Sequence, residues 1–315
     1  MKKALFAILA AAICLGANAQ QLRTNYRSGG FTHVSTEYEP FKLADIPASA
    51  RVELVQLPDG APIYLIYMLL EGKGAVIVPK GVKLSATLSG GKIVRLDQIG
   101  QGQPGHLKYA AQPSDMELLC GGIKSVDIVT GWNPEDFFQA SFQADELSKL
   151  FKSHCQAITE GLDGTIELTA KVAGRKDNQN SVLTSAEPIV ARGETMDYNV
   201  ILSHLYYKNT GEEDVDLAFV LGTSQKYHVT YDAPVVFTLR DGSSITLAQA
   251  RDDVNFVYVY PSLDDLRRMA VKGVAAISIQ HEDGVVEDTI PESGEDFSTA
   301  VNQQLQLLLS ISGRN

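Results

Sequence analysis

The chain carries one pattern twice. Displaced by 151 positions, residues 64–128 lie over 215–279 without a gap, and ten of the sixty-five positions are identical. Thr87-Leu88 falls on Thr238-Leu239, Gly91 on Gly242, Gln98 on Gln249, Tyr109 on Tyr260 and Gly122 on Gly273. Elsewhere apolar character is kept rather than identity, as in Ile66/Leu217, Leu118/Met269 and Val126/Ile277. Shared cores behave this way, because they tolerate volume-conserving apolar exchange far better than polar exchange. Upstream the match continues with a shift, setting Val34 over Val182, Thr36 over Thr184, Glu39-Pro40 over Glu187-Pro188 and Val52 over Val200. Downstream, Leu147, Phe151, His154 and Cys155 lie over Val301, Leu305, Leu308 and Leu309, all on one helical face. Repetition constrains the fold first. It also assigns most apolar residues to packing, which leaves few for chemistry.

Within each copy the elements run strands first, then helix, strand, helix. Val52–Leu57 alternates, and Ile63–Leu70 reads as a buried strand. Gly90-Gly91 and Asp241-Gly242 mark matched hairpin turns. Pro113–Leu119 and Ser262–Val271 read as short helices, with Ser262 as N-cap and Gly122 and Gly273 as stops. Asn133 and Pro134 are expected to open a longer helix in the first copy, and Glu292–Asp296 its counterpart. The order predicts an α+β fold of two tandem repeats, pseudo-twofold related, each a mainly antiparallel sheet with two helices on one face. The predicted boundaries are a signal peptide at 1–19, a flexible leader at 20–31, repeat 1 at 32–173, a polar linker at 174–181 and repeat 2 at 182–315. Thr165–Val172 is expected to close repeat 1 as a last strand.

The first nineteen residues read as an address. Lys2 and Lys3 precede an apolar run too short to span a bilayer, and Ala17-Asn18-Ala19 offers a small-x-small cleavage site. Ile13 before Cys14 argues against a lipid anchor. The expected location is periplasmic or secreted, with no transmembrane segment in the mature chain. Gln20-Gln21 directly after the cleavage site resembles exported proteins of Bacteroidota, a likeness of the signal region and composition alone.

Composition narrows the partners. Thirty-eight acidic residues against twenty-seven basic give a formal charge of −11, which repels phosphate backbones and argues against nucleic acid. No zinc motif, Walker loop or nucleophile elbow occurs, so no metal, cofactor or catalytic residue is assigned. The acidic runs Gly211–Asp214 and His281–Gly284 lack calcium-loop spacing and read as turns. Asp288-Thr289-Ile290 resembles the short O-glycosylation acceptor of Bacteroidota.

Two candidates remain. Cys120 and Cys155, on neighbouring helices, form a candidate disulfide, or else two buried thiols. Their counterparts by the 151-residue displacement and the helical match, Val271 and Leu309, suggest core positions. Trp132, alone of its kind, follows Gly131 and is either a flat binding contact or a staple at a helix start. These readings predict an exported, non-catalytic binding or scaffold protein of the cell envelope, with a protein or glycan ligand. The alternatives are a hydrolase of an envelope or dietary polymer using carboxylates gathered in a cleft, and an assembly partner pairing through a sheet edge. Positions where the two copies differ in polarity are where function is expected.

Overall fold

On the strand that spans residues 46–56, Ala50, Val52 and Leu54 are buried while Arg51 and Glu53 take the opposite face. That alternation sets the architecture of the first unit: one face of its sheet needs a partner. The computed structural model describes residues 21–43, 46–58, 60–70, 83–99, 105–130, 138–207, 215–223, 226–292 and 297–312. The chain divides into two compact units, Met1–Glu167 and Leu168–Asn315.

Unit 1 contains β1 (Leu22–Ser28), β2 (Phe31–Thr36), β3 (Glu39–Leu43), β4 (Ile46–Gln56), β5 (Ile63–Leu70), β6 (Lys83–Leu88), β7 (Ile93–Asp97), β8 (His106–Ala111), α1 (Pro113–Gly121), β9 (Ile123–Thr130), β10 (Phe138–Gln143), α2 (Asp145–Gly161) and β11 (Ile166–Glu167). Its larger sheet has the order β11-β1-β2-β4-β5-β8, with β3 also on β4. Its smaller sheet has the order β10-β9-β6-β7. A single core joins them: Val34, Val52, Ile66 and Tyr109 from the first, Ala86, Ile123 and Val126 from the second, Leu119 from α1 and Phe151 from α2.

Unit 2 contains β12 (Val172–Asp177), β13 (Ser181–Ala186), β14 (Ile189–Arg192), β15 (Asp197–Tyr207), β16 (Val215–Thr223), β17 (Pro234–Leu239), β18 (Ser244–Ala248), β19 (Phe256–Val259), α3 (Leu263–Lys272), β20 (Val274–His281), β21 (Gly284–Thr289) and α4 (Phe297–Ser312). Its sheets run β12-β13-β15-β16-β19, with β14 on β15, and β18-β17-β20-β21. Apart from β11, this is the element order and pairing of unit 1. Phe297 at the start of α4 makes ring contacts with Tyr198 and Phe219 of the larger sheet and Phe237 of the smaller one.

The expected fold of one sheet per repeat with two helices on one face is therefore corrected. Among the described residues strand predominates, 53% against 22% helix, in four sheets and four helices. Alternation shows which face of a strand is apolar, but not which strand lies beside it. The hairpin β6–β7 and the pair β9–β10 do not extend the first sheet. They build a second one that shares its core.

The boundaries also move. The segment taken as a flexible leader holds β1, paired with β2 through Arg27–Thr32 and Asn25–Val34. The segment taken as a linker is strand and turn: Arg175 pairs with Thr184, and Asn178 accepts hydrogen bonds from Asn180 and Ser181. Polar, apolar-free sequence read as linker because β12 is exposed along its whole length. The closing strand expected at 165–172 splits at the unit boundary, with Ile166–Glu167 alone adding to β1, in parallel. The helix expected to open at Asn133 begins at Asp145 instead, after β10.

Matched punctuation holds the copies to one plan. Gly91 and Gly242 take φ of 81° and 82° at the two hairpin turns, a conformation that glycine adopts without the Cβ penalty. Just before each turn the pairing with β9 or β20 shifts register at the same place, between Thr87 and Leu88 and between Thr238 and Leu239. Ser262 caps α3: its Oγ accepts from the Asp265 amide at 3.1 Å, and the Asp265 carboxylate accepts from the Ser262 amide at 3.2 Å.

One problem recurs and is solved twice. β4 pairs on one side with β3 and then β2, and β15 likewise with β14 and then β13. Between the short strands the long one has no strand partner on that side among the described residues. In unit 1 the Thr36 hydroxyl fills the gap, accepting from the Val52 amide and donating to the Val52 carbonyl, both at 3.1 Å. In unit 2 the buried Gln304 of α4 does so, its Oε1 accepting from the Leu202 amide at 2.7 Å and its Nε2 donating to the carbonyls of Val200 at 2.8 Å and Glu187 at 2.7 Å. Buried backbone groups require such partners.

Candidate functional site

The register of the sheets fixes which residues correspond. Ser35 pairs with Glu53 in unit 1 and Ser185 with Ser203 in unit 2, so the matched residues of these strands lie 150 apart. The upstream match read from sequence, Thr36 over Thr184 and Glu39 over Glu187, is therefore two residues out. Thr36 corresponds to Ala186, and Glu39 to Ile189.

With that register, a cleft appears in each unit at the same place. It lies where the turn from the second to the third strand meets the last helix. A backbone bond shapes the turn in both: the Glu37 amide donates to Gln21 O at 2.9 Å, and the Glu187 amide to Lys171 O at 2.8 Å. The unit 2 cleft holds about 430 Å³ and is lined by residues including Lys171, Glu187, Pro188, Ile189, Ala300 and Gln303. Gln303 is engaged there, its Oε1 accepting from the Thr169 amide at 2.8 Å and the Ala170 amide at 3.2 Å.

The unit 1 cleft is larger, about 680 Å³, and its polar lining differs. Glu37, Tyr38 and Glu39 come from the turn and β3, and Glu146, Lys149 and Ser153 from α2. The helix buries Leu147, Leu150, Phe151 and His154 in the core, so Glu146, Lys149 and Ser153 fall on its shoulder. Glu37 is 3.9 Å from the guanidinium of Arg23. Burial raises the Glu39 carboxyl above its ordinary range, and its Oε2 has no hydrogen-bond partner among the described residues.

Tyr38 joins this cleft to a second polar group on the larger sheet. The Arg51 guanidinium lies 5.2 Å from the Tyr38 ring centre and 4.2 Å from that of Tyr67, and Lys108 Nζ lies 4.8 Å from the latter. The Tyr67 hydroxyl donates to Glu53 Oε2 at 2.9 Å, and His33 Nδ1 is 3.4 Å from Glu53 Oε1. Burial alone would raise the Glu53 carboxyl. The hydrogen bonds from His33 and Tyr67 and the charge of Arg51 overcome it and hold the group below its usual range.

None of this is repeated in unit 2. The registers set His33, Arg51, Glu53, Tyr67 and Lys108 against Leu183, Ile201, Ser203, Val220 and Tyr258. The sequence reading singled out none of these five as a site. Arg51 and Glu53 alternating with core residues were the available signal.

Cys120 on α1 and Cys155 on α2 are brought together, their sulfurs 3.5 Å apart, and both are half-buried. The counterpart argument needs amending. Val271 is 85% exposed, so it is no core position. Met116 and Leu119 match Leu266 and Met269 by burial, which sets Cys120 against Ala270. Leu309 is buried, as expected. Trp132 and the run Gly211–Asp214 lie outside the described residues. In the second acidic run, Glu282 pairs with His228 at 2.7 Å, and this hydrogen bond raises the imidazole of His228. Thr289 is exposed, but Asp288 beside it is buried, accepting from the Thr195 amide at 2.8 Å and the Tyr198 hydroxyl at 3.0 Å.

Among the described residues, no group of three His, Cys, Asp or Glu side chains is placed to hold a metal ion, and no helix is long and apolar enough to cross a membrane. No family model matches the chain, and neither a curated protein nor a solved structure matches it.

Proposed function

We propose that the chain is an exported, non-catalytic binding or scaffold protein of the cell envelope, and that the unit 1 cleft receives a cationic group of a protein or glycan ligand. The observation that carries this reading is the recurrence of one cleft in two forms. A shared core requires the cleft's walls in both units. It does not require the larger volume, or glutamates at positions 39 and 146 where unit 2 has Ile189 and Ala300. Glu39 and Glu146 against Lys149, with Glu37 engaged by Arg23, leave an acidic lining that favours an amine or guanidinium over an anion. The basic start, short apolar run and Ala17-Asn18-Ala19 site of residues 1–19, read as a signal peptide, support the envelope location.

Titration calorimetry of the full chain with lysine-rich peptides and glucosamine oligomers tests the reading, with their N-acetylated forms as controls. The cationic forms are expected to bind. The double change Glu39→Gln, Glu146→Gln is expected to weaken them about tenfold or more, since a hydrogen bond to a charged group contributes about 1.5–3 kcal/mol. Equal binding of acetylated forms, or none of either, would overturn it.

The hydrolase reading has one observation in its favour. Burial raises the Glu39 carboxyl in a cleft that other glutamates share, the direction in which a general acid is tuned. Release of reducing ends from envelope glycans, abolished by Glu39→Gln, would favour that reading over binding.

A further inference from the structure

We propose that Cys120 and Cys155 close to a disulfide that ties α1 to α2 in unit 1, the electrons passing to a disulfide such as oxidised glutathione or an oxidoreductase in its disulfide form. The sulfurs are 3.5 Å apart in the thiol form, so only a small approach separates them from a bond of about 2.05 Å. Both side chains reach solvent in part, as an exchange reaction requires. Unit 2, with Ala270 and Leu309 at these positions, has no equivalent. The pair is therefore not demanded by the shared fold.

The two sulfurs are not alike. The hydrogen bond between the two thiols, helped by the charge of Lys152, holds Cys120 below the ordinary thiol range against the effect of burial. The same hydrogen bond and burial push Cys155 up. Cys120 is then the attacking thiolate. It displaces one thiolate from the oxidising disulfide and forms a mixed disulfide. Cys155, losing its proton, attacks the Cys120 sulfur and displaces the second thiolate. Two cysteine thiols become one disulfide, and the oxidising disulfide becomes two thiols that take up the two protons.

The bond would close a loop between residues 35 apart in sequence. It would also fix α2, which supplies Glu146, Lys149 and Ser153 to the cleft wall.

The test is a non-reducing peptide map of the full folded chain after incubation with oxidised glutathione. The expected product is a peptide pair joined through Cys120 and Cys155, with a rise in thermal midpoint on the order of 5 °C. Cys155→Ala is expected to stop at the intermediate, with glutathione retained on Cys120. Wild-type chain in which both cysteines stay open to alkylation, keep glutathione, or link to Cys14 would overturn the proposal. So would glutathione on Cys155 in a Cys120→Ala variant as readily as on Cys120 in Cys155→Ala.

Discussion

Gln98 and Gln249 do the same work in the two units. Each is buried, and its side-chain oxygen accepts a backbone amide of the edge strand of the larger sheet, Lys108 at 3.0 Å and Tyr258 at 2.9 Å. The chain just beyond adds one backbone bond in each, from Ile99 to Lys108 O and from Ala250 to Tyr258 O. The side chain thus fastens the smaller sheet's last strand to the larger sheet. Leucine at either position keeps most of the volume but leaves the amide unpaired. Gln98→Leu and Gln249→Leu are each expected to cost about 1–3 kcal/mol in urea denaturation. A loss at one site only would mean that the match is geometric and not energetic.

The strand gap gives a graded pair. Thr36→Val leaves both polar groups of Val52 unpaired, and Gln304→Leu leaves three backbone groups unpaired. Both changes are expected to destabilise by about 2 kcal/mol or more, with Gln304→Leu the larger. Denaturation midpoints in the reverse order would remove the account of the gap.

His154 predicts acid sensitivity. It is fully buried, its ring nitrogens make no hydrogen bond of good geometry among the described residues, and burial pushes its imidazole down to about 4, a weak backbone interaction with Ala50 opposing this only in part. The folded state therefore disfavours the proton that the unfolded state accepts near pH 6.5. Stability from this site is full above pH 6.5 and falls as the pH drops toward 4, by up to about 3 kcal/mol. His154→Leu, the residue of unit 2, is expected to flatten that slope between pH 6.5 and 4. Parallel pH profiles of the two proteins would show that the slope has another source.

Leu305 and Val271 bracket the core of unit 2. Leu305 is 2% exposed and Val271 85%. Leu305→Ala is expected to cost about 2–5 kcal/mol, and Val271→Ser to stay within about 0.5 kcal/mol. Comparable losses in urea would mean that the last helix is misplaced.

What the sequence revealed and what it hid have one physical cause. The hairpin turns, the match of Gln98 with Gln249 and the Ser262 cap were legible because each depends on a specific residue at a specific backbone site. The charged cluster was not. The upstream match was slipped by two, which set Arg51 against Asn199 and Glu53 against Ile201. A slip of two keeps every side chain on its own face, so alternation raises no alarm. Only the pairing of Ser35 with Glu53 and Ser185 with Ser203 corrects it. The second sheet was hidden because its strands pair across long stretches of chain, as Ala86 does with Val126.

The Thr36 and Gln304 plugs have a consequence for descent. In unit 1 the plug comes from a strand, and in unit 2 from a helix, where unit 1 has Leu150. A chain assembled from two copies of either half would still be self-consistent. A chimera that gives unit 2 the last helix of unit 1 would not, because Ala186 stands where Thr36 would be needed. The halves share a blueprint but are no longer spare parts for each other.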